Sequence, residues 1–398
     1  GLAIAFRLAR SGLPVVLIER GDPGMACSYG NAGHIATEQI FPLASPATMR
    51  GAPALLFGRN SPLSVRAGHA LRIAPWLLRF AWASRPAAFR RGTAALSSLQ
   101  ERAVDSLASL CRDAGVPEQL HRRGHLILVE DPRLKGKAVE QMRTLEAHGI
   151  ATRWLDARQV ADMAPELKEN TGAIHVRDTA HVGEPLSLSR GLLEAFTRAG
   201  GRLLRDEVRQ IEQPAEGNLR LHLSDGETRA RRVVIAAGAW SRHLAAQTGF
   251  DVPLDTERGY HVVARDFAGH LDVAVASLDR MVIMTPLSSG LRMTGFVELG
   301  GLTAPPNPAR LAKLNRHLSE LLPRLELTDR AEWMGFRPSL PDHLPVIGAS
   351  PRDGRVFYAF GHQHLGLTLA GVTADVLASL VSDAPPALDV GPFRIDRF

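Results

Sequence analysis

The chain has 398 residues, 45% of them hydrophobic and 22% charged, which indicates a globular protein of about two to three domains and excludes disordered and fibrous classes. Its two cysteines exclude a disulfide framework, and no spacing of cysteine and histidine resembles a zinc site. The formal charge of +6 is carried mainly by arginine, and no basic run interleaved with aromatic residues predicts a nucleic-acid partner. We therefore expect a reduced, cytoplasmic protein.

The first twenty residues predict a helix followed by a buried strand of the parallel type. Small and apolar residues recur at helical spacing after Gly1, and residues 15–18 form an apolar run that ends at Glu19 and Arg20. This order is the second half of a dinucleotide-binding βαβ fingerprint, in which Glu19 would accept hydrogen bonds from ribose hydroxyls. The fingerprint also needs a first strand and two more glycines, which we expect to lie before Gly1 or to be absent. An amphipathic helix and strand without a ligand is the alternative.

Three further segments are rich in glycine and other small residues, which allow backbone amides to approach a ligand closely. They read S-Y-G-N-A-G-H-I at residues 28–35, A-A-G-A-W at 236–240, and G-F-R-P-S-L-P-D at 335–342 with G-H-Q-H-L-G-L-T at 361–368. In this order they resemble the motifs of the D-amino acid oxidase/dehydrogenase superfamily, whose members bind FAD. The resemblance runs from residue 1 to about residue 370. It is strongest to one-component D-amino acid dehydrogenases, in particular the cis-4-hydroxy-D-proline dehydrogenase type.

The resemblance implies an α/β fold in which a Rossmann-type FAD-binding domain is interleaved with an antiparallel-sheet α+β substrate domain. The FAD-binding domain would comprise residues 1–45, 180–240 and 335–398, and the substrate domain residues 46–179 and 241–334. Within these parts, the sequence predicts a helix over residues 184–200, a strand over 203–211 and antiparallel strands within 252–300.

The same resemblance implies contacts with FAD along all of these motifs. The residues concerned are Gly1, Glu19, Arg20, Ser28, Asn31, Ala32, Gly33, His34, Ile35, Val208, Ala237, Gly238, Trp240, Gly361, His362, Gly366, Leu367 and Thr368. A helix that begins at Gly366 and runs to about residue 381 would direct its free amides at the end of the flavin where negative charge accumulates on reduction. His362 and His364 form an H-x-H pair without a third ligand of suitable spacing, so no metal is predicted.

For the substrate, the resemblance implies that Arg337 binds a carboxylate, because a planar guanidinium makes two parallel hydrogen bonds to it. A structural arginine that bonds loop carbonyls is the alternative. Tyr260 would close the same carboxylate or line the pocket, with a buried core role as the alternative, and His364 would contact the substrate. His261 is expected to face solvent or a backbone carbonyl. The implied reaction transfers hydride from the carbon next to an amine to flavin N5 and leaves an imine.

The electron acceptor is predicted from the absence of a lysine in the motifs. Oxygen-using members of the superfamily often keep a lysine close to flavin N5, and none of the four lysines here falls in a motif. This favours a dehydrogenase that passes electrons to a quinone or an electron-transfer protein. Residues 66–91 mix arginines, leucines and aromatics at helical spacing, which predicts either a helix over the substrate domain or a peripheral contact with the inner face of the membrane.

Two other functions stay open at this point. One is an oxygen-using D-amino acid oxidase or sarcosine/glycine-type oxidase, which peroxide release would identify. The other is a flavin-free binding or assembly subunit, which the absence of flavin absorbance would identify.

Overall fold

Helices and strands alternate along the whole of the computed structural model, which describes residues 1–57 and 61–398. The helices are α1 (Leu2–Arg10), α2 (Pro46–Phe57), α3 (Ala70–Ala83), α4 (Pro86–Ala114), α5 (Lys135–Glu146), α6 (Ala157–Met163), α7 (Pro185–Arg198), α8 (Ser241–Gln247), α9 (Pro308–Leu321) and α10 (Ala370–Val381). Among the described residues, no helix is long and apolar enough to span a bilayer.

The strands form one large sheet and four small ones. They are β1 (Val16–Ile18), β2 (His34–Ile35), β3 (Leu63–Val65), β4 (Leu120–His121), β5 (His125–Val129), β6 (Thr152–Asp156), β7 (Gly172–Val176), β8 (Ala180–Val182), β9 (Arg202–Leu204), β10 (Val208–Glu212), β11 (Leu219–Leu223), β12 (Glu227–Ala230), β13 (Val233–Ile235), β14 (Asp255–Ala264), β15 (Ala274–Ser277), β16 (Val282–Leu287), β17 (Gly290–Leu299), β18 (Arg330–Ser339), β19 (Val346–Ala349) and β20 (Val356–Phe360).

The opening helix and strand form as the sequence predicts. α1 buries its apolar face, including Ile4, Phe6 and Leu8, against α7 and α10. β1 pairs in parallel with β9, and β13 pairs in parallel with β20. Parallel strands need a crossover connection, and helices covering such strands produce near-continuous apolar runs. The predicted α/β class is confirmed.

The large sheet has the strand order β18-β14-β17-β16-β15-β5-β7-β6, with β3 added beside β17. It is antiparallel except where β15 meets β5 and where β17 meets β3. β14 lies between β17 and β18 and is buried along almost its whole length. The sheet therefore includes the antiparallel strands predicted within residues 252–300.

Contacts in the structure cross the predicted division of the chain at several places. β18 pairs with β14 along its whole length, so residues 335–339 lie in the large sheet rather than with the parallel strands. α8, which the prediction assigned to the substrate domain, packs instead against β10 and β13.

The prediction of a single strand over residues 203–211 is wrong, because the chain turns between β9 and β10 and forms two strands there. The Asp206 carboxylate accepts hydrogen bonds from the backbone amides of Glu207 (2.7 Å) and Ser224 (3.0 Å). A short acidic side chain that bonds nearby backbone amides favours a turn over a continuous strand. The helix predicted over residues 184–200 is confirmed as α7.

Gly371 provides a test of the contact between α10 and α4. A Cβ atom at Gly371 would lie 2.5 Å from the Ser106 carbonyl carbon and 2.6 Å from the Leu107 nitrogen, both backbone atoms of α4. Because backbone cannot move aside as a side chain can, Gly371→Ala should lower the free energy of unfolding by about 1–3 kcal/mol in urea titrations.

The matched control is Gly136 in α5, where a Cβ would meet no atom within 4 Å. Gly136→Ala should leave stability unchanged or raise it slightly, because alanine favours the helix. Equal losses in the two variants would contradict the close approach of α10 to α4.

Candidate functional site

A cavity of about 2570 Å³ brings together most of the segments that the sequence assigned to cofactor binding. It is bordered by the start of α1, the loop after β1, the connection from β13 to α8 and the turn before α10. The predicted cofactor residues that line it are Gly1, Glu19, Arg20, Ser28, Asn31, Val208, Ala237, Gly238, Trp240, His362, Gly366 and Leu367. The predicted residues outside its lining are Ala32, Gly33, His34, Ile35, Gly361 and Thr368, together with Arg337, Tyr260 and His364.

One end of the cavity carries a carboxylate and an ordered arginine at the end of β1. Glu19 Oε1 accepts a hydrogen bond from the Gly21 amide at 3.0 Å. The Arg20 guanidinium lies 4.0 Å from the centroid of the Trp240 ring and donates to Glu207 at 3.1 Å. Arg20 thus joins β1 to the motif at residues 236–240, and Glu19 is free to accept hydrogen bonds from a ligand with its second oxygen.

The loop of residues 28–35 is fixed by a buried arginine that the sequence analysis did not assign. Arg292, on β17, donates to the carbonyl oxygens of Tyr29 (2.8 Å) and Asn31 (2.9 Å) and forms an ion pair with Glu184 (3.2 Å). Within the loop, Asn31 Oδ1 accepts from the Gly33 amide at 2.8 Å. Arg292 therefore connects the large sheet to the cofactor loop, a contact between residues more than 250 positions apart.

An aromatic cluster supports the same loop. The rings of His261 and Trp333 are stacked with centroids 5.1 Å apart, and Tyr29 meets Trp333 edge-on at 5.9 Å. His261 Nδ1 donates to the Gly30 carbonyl at 3.2 Å, which confirms the expectation that His261 faces a backbone carbonyl. Burial, with the nearby charge of Arg292, lowers the pKa of His261 to about 3, so the ring is neutral at physiological pH.

Arg337 is a partly buried cation without a carboxylate partner. It lies on β18, and its guanidinium donates one hydrogen bond, to the Phe296 carbonyl oxygen at 3.2 Å. Along residues 1–57 and 61–398, no carboxylate lies within ion-pair distance of it. A Cβ on Gly259 would come within 2.4 Å of the guanidinium, so this glycine on β14 leaves room for it. The bond to Phe296 also fits the structural alternative, but it uses only one of the five N–H donors.

The positive charge of Arg337 also affects the pKa values of His364, which the sequence placed near the substrate, and of Cys27. Burial lowers the pKa of His364 to about 3, and the positive charge of Arg337 lowers that pKa further. Burial raises the pKa of the Cys27 thiol to about 11, and Arg337 opposes this shift. The charge of Arg337 therefore influences the pKa values of two groups that come from separate parts of the chain.

Tyr260 does not lie where the sequence predicted. Its side chain is fully buried, and its hydroxyl donates to Glu298 and accepts from the Asn307 amide at 3.1 Å. Glu298 also accepts from Arg258 at 2.8 Å and from Arg66 at 3.0 Å. Because the hydroxyl is engaged in this network, the expectation that Tyr260 contacts the substrate is corrected, and the structure matches the buried core alternative.

Three polar residues form a buried cluster beside the predicted cofactor loop. His34 Nε2 donates to the Glu38 carboxylate at 3.1 Å, and the rings of His34 and His125 have centroids 4.4 Å apart. Burial by itself would raise the pKa of Glu38, but the two histidines and their hydrogen bond hold it at about 2. One ring nitrogen or carboxylate oxygen from each residue lies within 4.8 Å of the others, a spacing that also suits a metal ion, and the Nδ1 atoms of His34 and His125 are buried without a hydrogen-bond partner among the described residues. The sequence analysis missed the cluster because His125 is distant in the chain.

The C-terminal motif folds as a turn rather than as the start of a helix. α10 begins at Ala370, and residues 366–369 form the turn before it. The Thr368 hydroxyl accepts from the Ala36 amide at 3.1 Å, and His362 hydrogen-bonds with Thr373 at 3.0 Å. The prediction that the helix begins at Gly366 is wrong: the helix begins four residues later, and the Thr368 side chain bonds the loop of residues 34–38.

Comparison with known proteins gives matches along the whole chain. The family model described as FAD dependent oxidoreductase matches residues 1–380. A D-amino-acid oxidase of Bradyrhizobium diazoefficiens is 31% identical, with 100% of this chain and 96% of that protein aligned. A D-amino acid dehydrogenase of Rhizorhabdus wittichii is 28% identical, with coverage of 100% and 97%.

Two solved structures show the same fold. Glycine oxidase from Geobacillus kaustophilus has a TM-score of 0.77 at 22% identity, over 100% of this chain and 96% of that one. L-proline dehydrogenase from P. horikoshii has a TM-score of 0.75 at 17% identity, over 100% and 94%. At these identities the likeness concerns the fold alone.

The network around Glu298 generates a stability prediction. Arg258 is fully buried and depends on Glu298 for its ion pair, so Glu298→Gln leaves an uncompensated buried charge. We expect a loss of about 3–5 kcal/mol in the free energy of unfolding, measured by urea titration at pH 7. As the control, Glu212→Gln removes a half-exposed pair with Arg220 and should cost less than about 1 kcal/mol.

The loss of stability caused by Glu298→Gln should depend on pH. Burial by itself would raise the pKa of Glu298, but the hydrogen bonds from Tyr260 and Asn307 outweigh it and lower that pKa. A carboxyl with a lowered folded-state pKa stabilises the fold above its usual value of 4.5 and loses that contribution as pH falls. The difference in free energy of unfolding between wild type and Glu298→Gln should therefore decrease as the pH falls below 4.5. A difference that increases there would contradict the role of Glu298 in this network.

Proposed function

Because the chain belongs to the FAD dependent oxidoreductase family, we propose that it oxidises the CH–NH bond of a D-amino acid to an imine and passes the electrons to a respiratory acceptor. The proposed substrate is cis-4-hydroxy-D-proline or a D-proline-like amino acid. Support for the D-amino acid class comes from two full-length relatives that are named for it. The motif resemblance supports the narrower choice. The observation that carries the proposal is Arg337, a partly buried cation with no carboxylate partner among the described residues.

The residues around the cavity fit FAD, which supplies the hydride acceptor of the reaction when bound. Glu19 offers a carboxylate oxygen to the ribose hydroxyls at the end of β1, as a dinucleotide site requires. Gly238 has φ +56°, and a Cβ there would meet no protein atom within 4 Å, so its backbone is open to a ligand. We propose that the cavity-lining members of the predicted set hold the cofactor.

Arg337 is the group that we propose binds the substrate carboxylate. Its bond to the Phe296 carbonyl fixes the guanidinium and leaves further N–H donors available for a bidentate pair. His364 is neutral, because burial lowers its pKa to about 3, so it can hydrogen-bond a substrate without adding a second charge. No protein base is required if the amine binds in its neutral form.

The proposal is tested by anaerobic reduction of the purified flavoprotein with a panel of D- and L-amino acids and prolines. We expect the D-forms to bleach the flavin, with proline-like compounds giving the highest kcat/KM. Arg337→Ala should raise KM by about 30- to 1000-fold, the equivalent of about 2–4 kcal/mol for a lost buried charge pair. Arg330→Lys, a change of an arginine on the same strand that bonds Asn315, is the control and should leave KM unchanged.

Two outcomes would contradict this function. Reduction by no amino acid would reject the substrate class, and reduction by L-forms alone would reject the stereochemistry. An unchanged KM in Arg337→Ala would show that Arg337 is a structural arginine that bonds loop carbonyls rather than the substrate.

The second part of the proposal is the electron acceptor. None of the four lysines lines the cavity formed by the described residues, which supports the dehydrogenase over the oxidase. The relative named an oxidase keeps the oxygen-using alternative open. Peroxide formed in stoichiometric amounts in air would establish that alternative.

α3 supports a peripheral contact with a membrane. Its inner face buries Ile73 and Trp76 beside the large sheet, while Leu71, Leu78 and Trp82 are 91%, 74% and 67% exposed on the opposite side. Exposed arginines lie among them, and Arg72 also lines the cavity. Apolar residues flanked by arginines suit the surface of an anionic bilayer. α3 therefore offers a lipid-soluble quinone a route from the membrane to the cavity.

Vesicle binding tests this surface. The wild-type flavoprotein should pellet with anionic phosphatidylglycerol vesicles at low salt. Leu71→Glu/Leu78→Glu should reduce the bound fraction several-fold, because it removes the apolar contact and adds negative charges that the anionic lipids repel. Met49→Glu, at an exposed apolar residue of α2, is the control and should bind as the wild type does. Absence of wild-type binding at low salt would exclude the membrane contact.

A further inference from the structure

His34, Glu38 and His125 form a buried cluster whose side chains have no role in the proposed function. The three residues are 7%, 6% and 1% exposed, and none of them lines the cavity formed by the described residues. One ring nitrogen or carboxylate oxygen from each residue lies within 4.8 Å of the others. Imidazole nitrogens and carboxylate oxygens are ligands that zinc accepts in proteins, including sets of two histidines and one glutamate.

The carboxylate of Glu38 lacks the strong cation that another buried carboxylate of this protein has. Within residues 1–57 and 61–398, no arginine or lysine lies within ion-pair distance of Glu38, and its partner is the imidazole of His34. By contrast, Glu130 pairs with Arg280 at 2.6 Å. A buried charge is costly unless it is paired or coordinates a metal. A divalent cation beside Glu38 would supply the missing positive charge.

Two ring nitrogens of the cluster are buried without a partner. The Nδ1 atoms of His34 and His125 have no hydrogen-bond partner among the described residues. Buried polar atoms are nearly always satisfied, and an exception calls for an explanation such as a bound ion or water. A metal ion is a partner that a neutral imidazole can take, because the unprotonated ring nitrogen donates its lone pair to the ion. The unpartnered nitrogens therefore point to a ligand independently of the charge on Glu38.

The distances within the cluster are close to those around a four-coordinate ion. Zinc lies about 2.0–2.2 Å from its nitrogen and oxygen ligands, so two ligand atoms around one tetrahedral ion are about 3.3 Å apart. His34 Nε2 lies 3.1 and 3.3 Å from the two oxygens of Glu38, which matches this separation. The ring of His125 is tilted by 50° from that of His34. From within 4.8 Å, its nitrogen needs to approach by at most about 1.5 Å, which rotation about the broad χ2 torsion supplies.

We propose that His34, Glu38 and His125 bind one divalent transition-metal ion, and that zinc is the ion they suit best. Calcium and magnesium prefer sites made of oxygen alone, whereas imidazole suits zinc and its neighbours in the first transition row. Three protein ligands leave one position of a tetrahedral zinc ion for a water molecule. This site lies outside the lining of the FAD cavity and does not depend on the proposed function.

The ion would join the segment after the candidate cofactor loop to the large sheet. His34 and Glu38 follow directly on the segment whose Ser28 and Asn31 line the cavity. His125 is the first residue of β5, which lies inside the large sheet between β15 and β7. One ion bound from both sides fixes these two parts of the molecule to each other. Its removal should therefore lower the Tm and weaken the retention of flavin.

The experiment measures metal bound to the holoenzyme, produced without a histidine tag. Elemental analysis should find about one zinc ion per chain in the wild type. After treatment with a chelator, titration with Zn²⁺ against a chromophoric chelator should show one site and raise the Tm, and Mg²⁺ should do neither. Glu38→Gln and His125→Gln should each lower the zinc affinity about 100-fold or more, since even residues that only support a ligand contribute about 10- to 100-fold.

A buried histidine outside the cluster provides the matched control. His317 is 3% exposed, and its Nδ1 accepts a hydrogen bond from Arg280 at 2.9 Å. His317→Gln should keep the zinc content and zinc affinity of the wild type. Glu38→Asp keeps the carboxylate but shortens the side chain by one methylene, so its zinc affinity should lie between those of wild type and Glu38→Gln. It decides the matter if the glutamine variants do not fold.

Three outcomes would overturn the site. The first is a wild-type protein that contains no metal and binds no Zn²⁺ saturably after chelation. The second is wild-type zinc affinity in Glu38→Gln and His125→Gln, or in Glu38→Asp, because the ion would then lie elsewhere. The third is an equal loss of zinc in His317→Gln, which would indicate a general effect on the fold. Flavin reduction by amino acids is measured separately, so failure of this site leaves the proposed function intact.

Discussion

A charge that is removed from water needs a counter-charge, and this requirement separates the buried arginines of the described residues from the partly buried Arg337. Arg258 has Glu298 at 2.8 Å, Arg292 has Glu184 at 3.2 Å, and Arg280 has Glu130 at 2.6 Å. Arg337 has only a carbonyl oxygen, in the part of the chain that the structure describes. The paired arginines stabilise the sheet and its loops. We propose that a carboxylate ligand completes the pattern at Arg337, and the proposed chemistry depends on it.

The position of that arginine depends on contacts between the large sheet and the loops around the cavity. β18 carries Arg337 and also Trp333, whose ring packs against His261 and Tyr29. Arg292 on β17 bonds the carbonyls of the loop of residues 28–35, so this loop and the proposed substrate cation are fixed to two strands that both pair with β14. The sheet thereby sets the distance between the proposed substrate-binding group and the proposed cofactor-binding residues, as hydride transfer would require.

The resemblance to the D-amino acid oxidase/dehydrogenase superfamily is confirmed by the family match and by the full-length relatives. FAD is therefore the cofactor, and the flavin-free alternative no longer fits. The relatives include proteins named oxidase and dehydrogenase, so their names do not decide the acceptor, and the argument for it comes from α3 and the positions of the lysines.

The sequence by itself determined the helix and strand at residues 2–18, the FAD-binding loops and the identity of the candidate cation. The helix and the strand are local features, because helical or strand periodicity acts over a few neighbouring positions, whereas the candidate loops and the cation were implied by the resemblance of the motifs. Only the tertiary structure decided that Tyr260 is held by Glu298, that α10 begins four residues after Gly366, and that Glu38 meets His34 and His125. Each of these outcomes is set by partners that are distant in the chain or by competition for one hydrogen bond. Burial and pairing of charge arise only when separate segments pack together, so local patterns do not contain them.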